Sequence, residues 1–218
     1  MNHNSRLICI GTFVFMTMLV TEGVIAYSGG APDSFTGAPG QGNCQTCHTN
    51  GSGDGALHIM LPASYLLSQT LTVTVELEDP GQWQWGFELT ALDASGVKAG
   101  SFTITDPTHT QLSTNPPSFP DYVKQTSAGT YNGTADGPVT WEFLWNAPED
   151  PAGPVTFYAA ANASQNIGSP SGFNYVAQTT IAPRVAEVPA MSSAGLALLT
   201  ALMIAVGILF VNYKVQPK

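Results

Sequence analysis

Apolar and polar residues alternate through the middle of the chain, and this alternation is its clearest pattern. In the segment 71–77, Leu71, Val73, Val75 and Leu77 are separated by polar side chains, which is typical of a half-buried strand. Strand character recurs at 57–61, 71–77, 85–91, 97–105, 122–125, 139–145, 155–161 and 173–181. Turn-forming residues separate these segments, and no helical period interrupts them. The pattern therefore predicts an all-β fold, an antiparallel β-sandwich of seven or eight strands.

Two hydrophobic segments flank this region. At the start, Arg6 precedes an apolar run from Leu7 to about Val20, and a small-x-small pattern ends at Ala26. These features predict a secretory signal peptide over residues 1–26, and hence an exported protein.

At the other end, residues 194–211 form an uncharged run of 18 residues, followed by Lys214 and Lys218. As a helix the run would be about 27 Å long, which is close to the thickness of a bilayer core. We expect a transmembrane helix there, preferred over a buried core helix, with a cytoplasmic tail at 212–218 and the rest of the mature chain outside the cytoplasm. Between the two ends the sequence divides into a Gly-rich arm (27–55), the sandwich domain (56–183) and a linker (184–193).

Charge narrows the choice of partners. Residues 27–189 carry 14 acidic and 3 basic side chains, a net charge of −11. Such a surface repels nucleic acid and favours a basic protein partner.

The arm contains the motif with the most specific chemistry. Residues 44–48 read Cys-Gln-Thr-Cys-His, the attachment signature of a c-type haem. Cys44 and Cys47 would each form a thioether with the porphyrin, and His48 would be the proximal ligand of the haem iron. The same residues leave two alternatives open, a disulfide or redox pair formed by Cys44 and Cys47, and a zinc site completed by His58.

Several segments resemble one known family. Together with 44–48, they are similar in order to the bacterial choice-of-anchor V domain, and they lie at 28–32, 36–40, 85–91, 141–148 and 155–163. The strands also resemble the reeler domain, which implies an immunoglobulin-like sandwich. Residues 188–192 are similar to a carboxy-terminal sorting signal of the PEP/IPTL type, which implies a processing protease as a partner. The resemblance implies a cell-surface protein but no particular activity.

The resemblance also raises the question of the distal haem ligand. The family often has His-Thr before its Trp-x-Phe-x-Trp strand, whereas this chain has Gln125 and Thr126 there. His58 and His109 are the preferred substitutes, and the less favoured ones are Met60 and Lys124.

Two hypotheses of function follow. The first is a membrane-anchored, non-enzymatic monohaem cytochrome that transfers electrons outside the cytoplasm through one covalent haem c. The alternative is a surface-displayed binding or adhesion module, in which the cysteine pair is structural or the haem has no redox partner. We find no nucleophile–base pair or phosphate-binding loop that would indicate an enzyme.

Overall fold

The computed structural model describes residues 27–48, 50–116, 119–150, 152–165, 171–184 and 192–214. Within these ranges the chain forms ten strands, two short 3-10 turns and one helix. The strands are β1 (Ala56–Met60), β2 (Ser64–Tyr65), β3 (Thr70–Glu78), β4 (Gln84–Asp93), β5 (Ser101–Ile104), β6 (Thr110–Ser113), β7 (Tyr122–Gln125), β8 (Val139–Asn146), β9 (Val155–Ser164) and β10 (Phe173–Pro183). The helix is α1 (Ser193–Lys214).

The strands form two sheets, as expected for a sandwich. The four-stranded sheet has the order β1-β3-β8-β5, and the six-stranded sheet has the order β2-β10-β9-β4-β7-β6. Neighbouring strands are antiparallel except for the short parallel pair of β2 with β10. The predicted all-β, immunoglobulin-like sandwich is therefore confirmed.

The alternation seen in the sequence places the apolar side chains of both sheets in one core. Three of the four tryptophans, Trp85, Trp141 and Trp145, are almost fully buried there, whereas Trp83 is 39% exposed. The Trp145 ring meets Phe157 and Tyr65 edge-on, at centroid distances of 5.1 and 5.3 Å. Aromatic contacts of this kind across the two sheets join them into one hydrophobic unit.

One predicted strand pairs differently from what we expected. The segment 97–105 was predicted as the partner of the strand at 85–91. Its start does pair with β4, through an antiparallel bridge between Leu92 and Lys98, but Ser101–Ile104 form β5 and pair with β8 in the opposite sheet. The chain passes from one sheet to the other at Gly100. The φ of Gly100 is +72°, and a Cβ there would meet the Trp145 indole. Only glycine allows the chain to turn so closely over that ring.

The sequence also led to predictions about the two ends of the chain. The predicted signal peptide, residues 1–26, lies outside the described residues. The predicted span 194–211 falls within α1, but among the described residues we find no helix that combines the length and apolar character needed to cross a membrane. A membrane anchor and a cytoplasmic tail therefore stay predictions.

Candidate functional site

The outward face of β4 is polar yet buried. Its inward side chains, such as Trp85 and Phe87, enter the core, while Gln84, Glu88 and Thr90 point the other way. Glu88 and Thr90 have no solvent exposure, and Gln84 is only 7% exposed. This face is covered by the Gly-rich arm, so that the six-stranded sheet lies between the core and a second layer of chain.

Lys124 fastens the arm to the sheet. Lys124 lies opposite Glu88 in the β4–β7 ladder, and its Nζ donates to Asp33 Oδ1 at 2.6 Å and to Ala31 O at 2.7 Å. The Phe35 backbone N–H donates to Glu88 Oε2 at 2.6 Å. We call Lys124, Glu88, Asp33, and the backbone of Ala31 and Phe35 the latch, because together they join arm and sheet.

The arm is also held on either side of the latch. Tyr122 Oη lies 3.0 Å from Ser34 Oγ and accepts a hydrogen bond of 3.0 Å from Gln41 Nε2. Farther along, His48 O accepts a hydrogen bond of 2.9 Å from Asn174 Nδ2 on β10. These contacts span most of the arm, although it contributes few side chains to the core.

A close approach of the arm to β7 requires a glycine. Gly30 has a φ of +105°, and a Cβ at this position would come within 3 Å of Gln111, Gln125 and Lys124. The high glycine content of the arm therefore has a structural cause at this position.

The pKa values of the two latch carboxyls are shifted in opposite directions. Burial raises the pKa of Glu88 to about 8, although the Phe35 N–H and the Lys124 cation act to lower it. Burial also acts to raise the pKa of Asp33. Hydrogen bonds from Lys124 and Asn115 outweigh this effect, so the pKa of Asp33 is lowered. Near neutral pH the latch thus holds mainly a Lys124–Asp33 ion pair beside an uncharged Glu88.

Next to the latch, the arm and the sheet enclose a partly open cavity of about 90 Å³. Its arm side includes Tyr27, Ala31, Phe35, Cys44, Cys47 and His48. Its sheet side includes Gln84, Gly86, Gln125, Asn162 and Ser164. The cavity therefore has a largely apolar, sulfur-containing side and a side made of amides and a hydroxyl, the composition typical of a small-molecule site.

Two buried polar atoms on the outward face of β4 have no hydrogen-bond partner. Among the described residues, the buried side-chain atoms without a partner are Gln84 Oε1 and Glu88 Oε1. Leaving a buried acceptor unpaired costs about 1–3 kcal/mol, so such atoms are uncommon in native proteins. Both atoms lie on the face that the arm covers, and Gln84 also lines the cavity.

The cysteine motif lies at the edge of this cavity. Cys44–Thr46 form a 3-10 turn in which Asn43 Oδ1 accepts from the Gln45 N–H at 2.9 Å, and both Cys44 and Cys47 are free thiols. Burial, with the nearby Glu88 carboxyl and the Cys47 thiol, raises the pKa of Cys44 to about 12. A thiol this weakly acidic is a poor nucleophile, which argues against a thioredoxin-like redox pair.

His48 has a fixed ring orientation. Its Nδ1 lies 3.0 Å from Ser171 O. Because a carbonyl only accepts, Nδ1 carries the proton when it makes this bond, and Nε2 is left as the acceptor nitrogen of the neutral ring.

The prediction of a covalently bound haem c at Cys44, Cys47 and His48 is wrong. Across the described residues, no three His, Cys, Asp or Glu side chains gather into a group that could hold a metal ion. The same finding overturns the zinc alternative, since His58 lies on β1 in the other sheet, opposite Glu76.

None of the proposed distal ligands lies at the motif. His109 Nδ1 is 2.6 Å from Asp106 Oδ2, and the ring stacks on Tyr131 with centroids 4.9 Å apart. Met60 is 43% exposed on β1, and the Lys124 ammonium belongs to the latch. The segment 106–121, which carries His109, contains β6, which pairs with β7, and none of its described residues lines the cavity.

Sequence reasoning missed Gln84 and Glu88. On an alternating strand, polar residues ordinarily face solvent, so neither residue stood out as a candidate site residue. The arm that buries them lies about 50 residues away in the sequence and carries no apolar periodicity, so the alternation gave no sign of this second layer.

Comparisons with known proteins agree with the architecture. No protein-family model matches the chain, and no curated protein matches it. Solved structures similar to it include the human F-spondin reeler domain (fragment 2), at 22% identity over 62% of this chain and 91% of that one, with a TM-score of 0.39.

Two bacterial structures are similar at lower identity. One is a cohesin module of a Clostridium perfringens family 33 glycoside hydrolase, at 8% identity over 60% of this chain and 96% of that one, with a TM-score of 0.42. The other is a Nocardia farcinica protein with an immunoglobulin-like fold, at 15% identity over 58% and 97%, with a TM-score of 0.34. The resemblance to the choice-of-anchor V domain stays a prediction.

Proposed function

We propose that this protein is an exported, non-enzymatic binding module that takes up a small molecule in the cavity between its arm and its six-stranded sheet. The electron-transfer hypothesis depended on a haem at Cys44, Cys47 and His48, and without that cofactor it has no redox centre. A basic protein partner, a sorting protease and display at the cell surface stay predictions.

The observation that carries the proposal is the cavity of about 90 Å³ that the arm and the sheet leave between them. An arm that only stabilised the fold would be expected to pair with the polar face it covers. Here Gln84, which lines the cavity, is buried and has no partner for its Oε1. A bound molecule between arm and sheet would fill the cavity and supply that partner.

A fluorescent probe tests this proposal on the full chain. N-phenyl-1-naphthylamine is uncharged, and its emission rises when it leaves water for an apolar site. The Ala31→Trp variant fills the cavity from the arm side, whereas Ala94→Trp adds the same side chain to the exposed turn at 93–96. We expect saturable binding by the wild type and by Ala94→Trp, and an affinity at least about 10-fold weaker for Ala31→Trp.

Absence of saturable binding to the wild type would overturn the proposal. So would equal binding by the wild type and Ala31→Trp, because the probe would then lie outside the cavity. Circular dichroism of both tryptophan variants confirms that the sandwich is intact before affinities are compared.

A further inference from the structure

Three amide side chains line the sheet side of the cavity, and they differ in how well they are satisfied. Gln125 Oε1 accepts from the Phe87 N–H at 2.8 Å. Asn162 Nδ2 donates to Asn174 Oδ1 at 3.0 Å and to Phe173 O at 3.1 Å. Gln84 Oε1 has no partner, although the side chain is buried and lines the cavity. The polar side of the cavity thus offers an unpaired acceptor at Gln84.

The charge of the cavity indicates the charge of its ligand. Among the described residues that line it there is no Asp, Glu, Lys or Arg. The nearest cation, Lys124, is already held by Asp33 and by the carbonyl of Ala31. A charged ligand would lose its hydration without gaining a counter-ion, so the cavity favours an uncharged one.

The residues on the arm side of the cavity indicate the chemistry of the rest of the ligand. Tyr27, Phe35, Cys44 and Cys47 are the aromatic and sulfur-containing residues that the arm contributes to the cavity lining. Aromatic rings and sulfur make favourable contacts with flat aromatic molecules. The ligand therefore needs an aromatic body facing the arm and a donor at its edge facing the sheet.

We infer that the cavity selects uncharged heteroaromatic molecules carrying an N–H or O–H group, and that Gln84 Oε1 accepts the hydrogen bond from that group. Gln84 is thus the specificity-determining residue of the site. This inference rests on the proposed function, because it names the ligand class of the same cavity.

Indole and benzothiophene form a matched pair for testing it. The two bicyclic molecules have similar shape and neither is charged, but indole carries an N–H where benzothiophene carries sulfur. Each is titrated against the full chain with N-phenyl-1-naphthylamine bound, and its displacement gives an affinity. We expect indole to bind roughly 10-fold to 100-fold more tightly than benzothiophene, because only indole satisfies the buried carbonyl.

Gln84→Met removes the carbonyl while keeping a side chain of similar length. In this variant the preference for indole should fall below about 3-fold, mainly because benzothiophene no longer leaves an acceptor unpaired. Gln165→Met, at an exposed glutamine bound to Gly81 O, is the matched control and should keep the wild-type preference.

The possible outcomes distinguish a failure of the inference from a failure of the proposed function. If the probe binds in the cavity but indole and benzothiophene displace it equally, or neither displaces it, the inference is overturned and the binding function stands. An indole preference that persists unchanged in Gln84→Met also overturns it, since another group would then make the bond. If the probe itself does not bind, the proposed function fails first. The wild-type comparison decides the question even where a variant folds poorly.

Discussion

Glu88 lies on a strand face that would meet water if the arm were absent. Under the arm it has no solvent exposure, one oxygen receives the Phe35 N–H, and the other has no hydrogen-bond partner. Lys124 Nζ is 3.8 Å from that second oxygen, too far for a hydrogen bond. Burial therefore dominates and raises the pKa of Glu88 to about 8, so the carboxyl carries a proton at neutral pH.

This raised pKa makes stability depend on pH. The folded protein keeps a proton that the unfolded chain loses above an ordinary pKa of 4.5. The stability that this group contributes is therefore complete below about pH 4.5 and is lost as the pH rises towards 8, with a slope of at most ~1.4 kcal/mol per pH unit. Urea unfolding at pH 5, 6, 7 and 8 should show this fall in the wild type and a flatter profile in Glu88→Gln.

Glu78→Gln, at an exposed position on β3, serves as the control and should retain the wild-type slope. Identical slopes in the wild type and Glu88→Gln would contradict the assignment of the proton to Glu88. Asp33 does not confuse the measurement, because its lowered pKa acts below its ordinary value of 3.8.

Cys44 gives a second prediction at the residue scale. With a pKa of about 12, its thiolate is scarce at pH 7.5, and alkylation requires the thiolate. In a Cys47→Ser variant we expect iodoacetamide to modify Cys44 at least about 10-fold more slowly than a free cysteine peptide, as measured by mass spectrometry. Unfolding in guanidinium should remove the protection. Modification of the folded variant at the rate of the free peptide would show that the thiol is not held protonated.

The sequence could predict the inward residues but not these outward ones. A period of two identifies Trp85, Phe87 and Leu89 as core, and all three are buried. It cannot tell whether the opposite face meets water or another part of the chain, because both cases need polar residues on the strand. Gln84 and Glu88 were therefore out of reach of sequence reasoning, whereas the cysteine motif drew attention to the correct neighbourhood with the wrong cofactor.

Among the structural elements, the arm has two roles although it contains little regular secondary structure. It contributes hydrogen-bonding groups to a sheet whose strands are already paired, and it makes one side of the cavity. Long alternating strands such as β3, β4 and β8 were predictable because they bury one face. The short strands β2 and β6 were not, since two and four residues are too few to show a period.

Removing the Lys124 side chain should loosen the arm without unfolding the sandwich. Lys124→Met deletes the hydrogen bonds to Asp33 and Ala31, a change of about 1–3 kcal/mol. Hydrogen exchange followed by mass spectrometry should then show arm amides exchanging roughly 5-fold to 150-fold faster, with β3 and β8 unchanged.

Arg184→Met is the matched control. Arg184 is an exposed cation after β10, its backbone N–H donates to Tyr65 O, and it does not belong to the latch, so loss of its side chain should leave exchange in the arm unaffected. Equal effects of the two substitutions on the arm, or no effect of Lys124→Met, would show that the latch does not hold it.

For the molecule as a whole, the described chain has three layers: the four-stranded sheet, the six-stranded sheet, and the arm laid on the outside of the latter. The first interface is apolar and closed, and it accounts for the fold. The second is polar, contains two unpartnered oxygens and leaves a cavity, and it accounts for the proposed function. The charged residues that give the segment 27–189 its net charge of −11 are not among those that line the cavity. Solubility and binding are therefore served by separate surfaces.

The most direct test of the binding proposal is to map a ligand onto the protein by amide chemical shifts. Indole titrated into the ¹⁵N-labelled full chain should move the resonances of the cavity, including Gly86, Asn162 and Ser164 on the sheet and Ser28 and Cys47 on the arm. The outer face of the four-stranded sheet, around Thr72 and Glu142, should stay unchanged. Shifts confined to that other face, or no saturable shifts in the cavity, would contradict a binding site between arm and sheet.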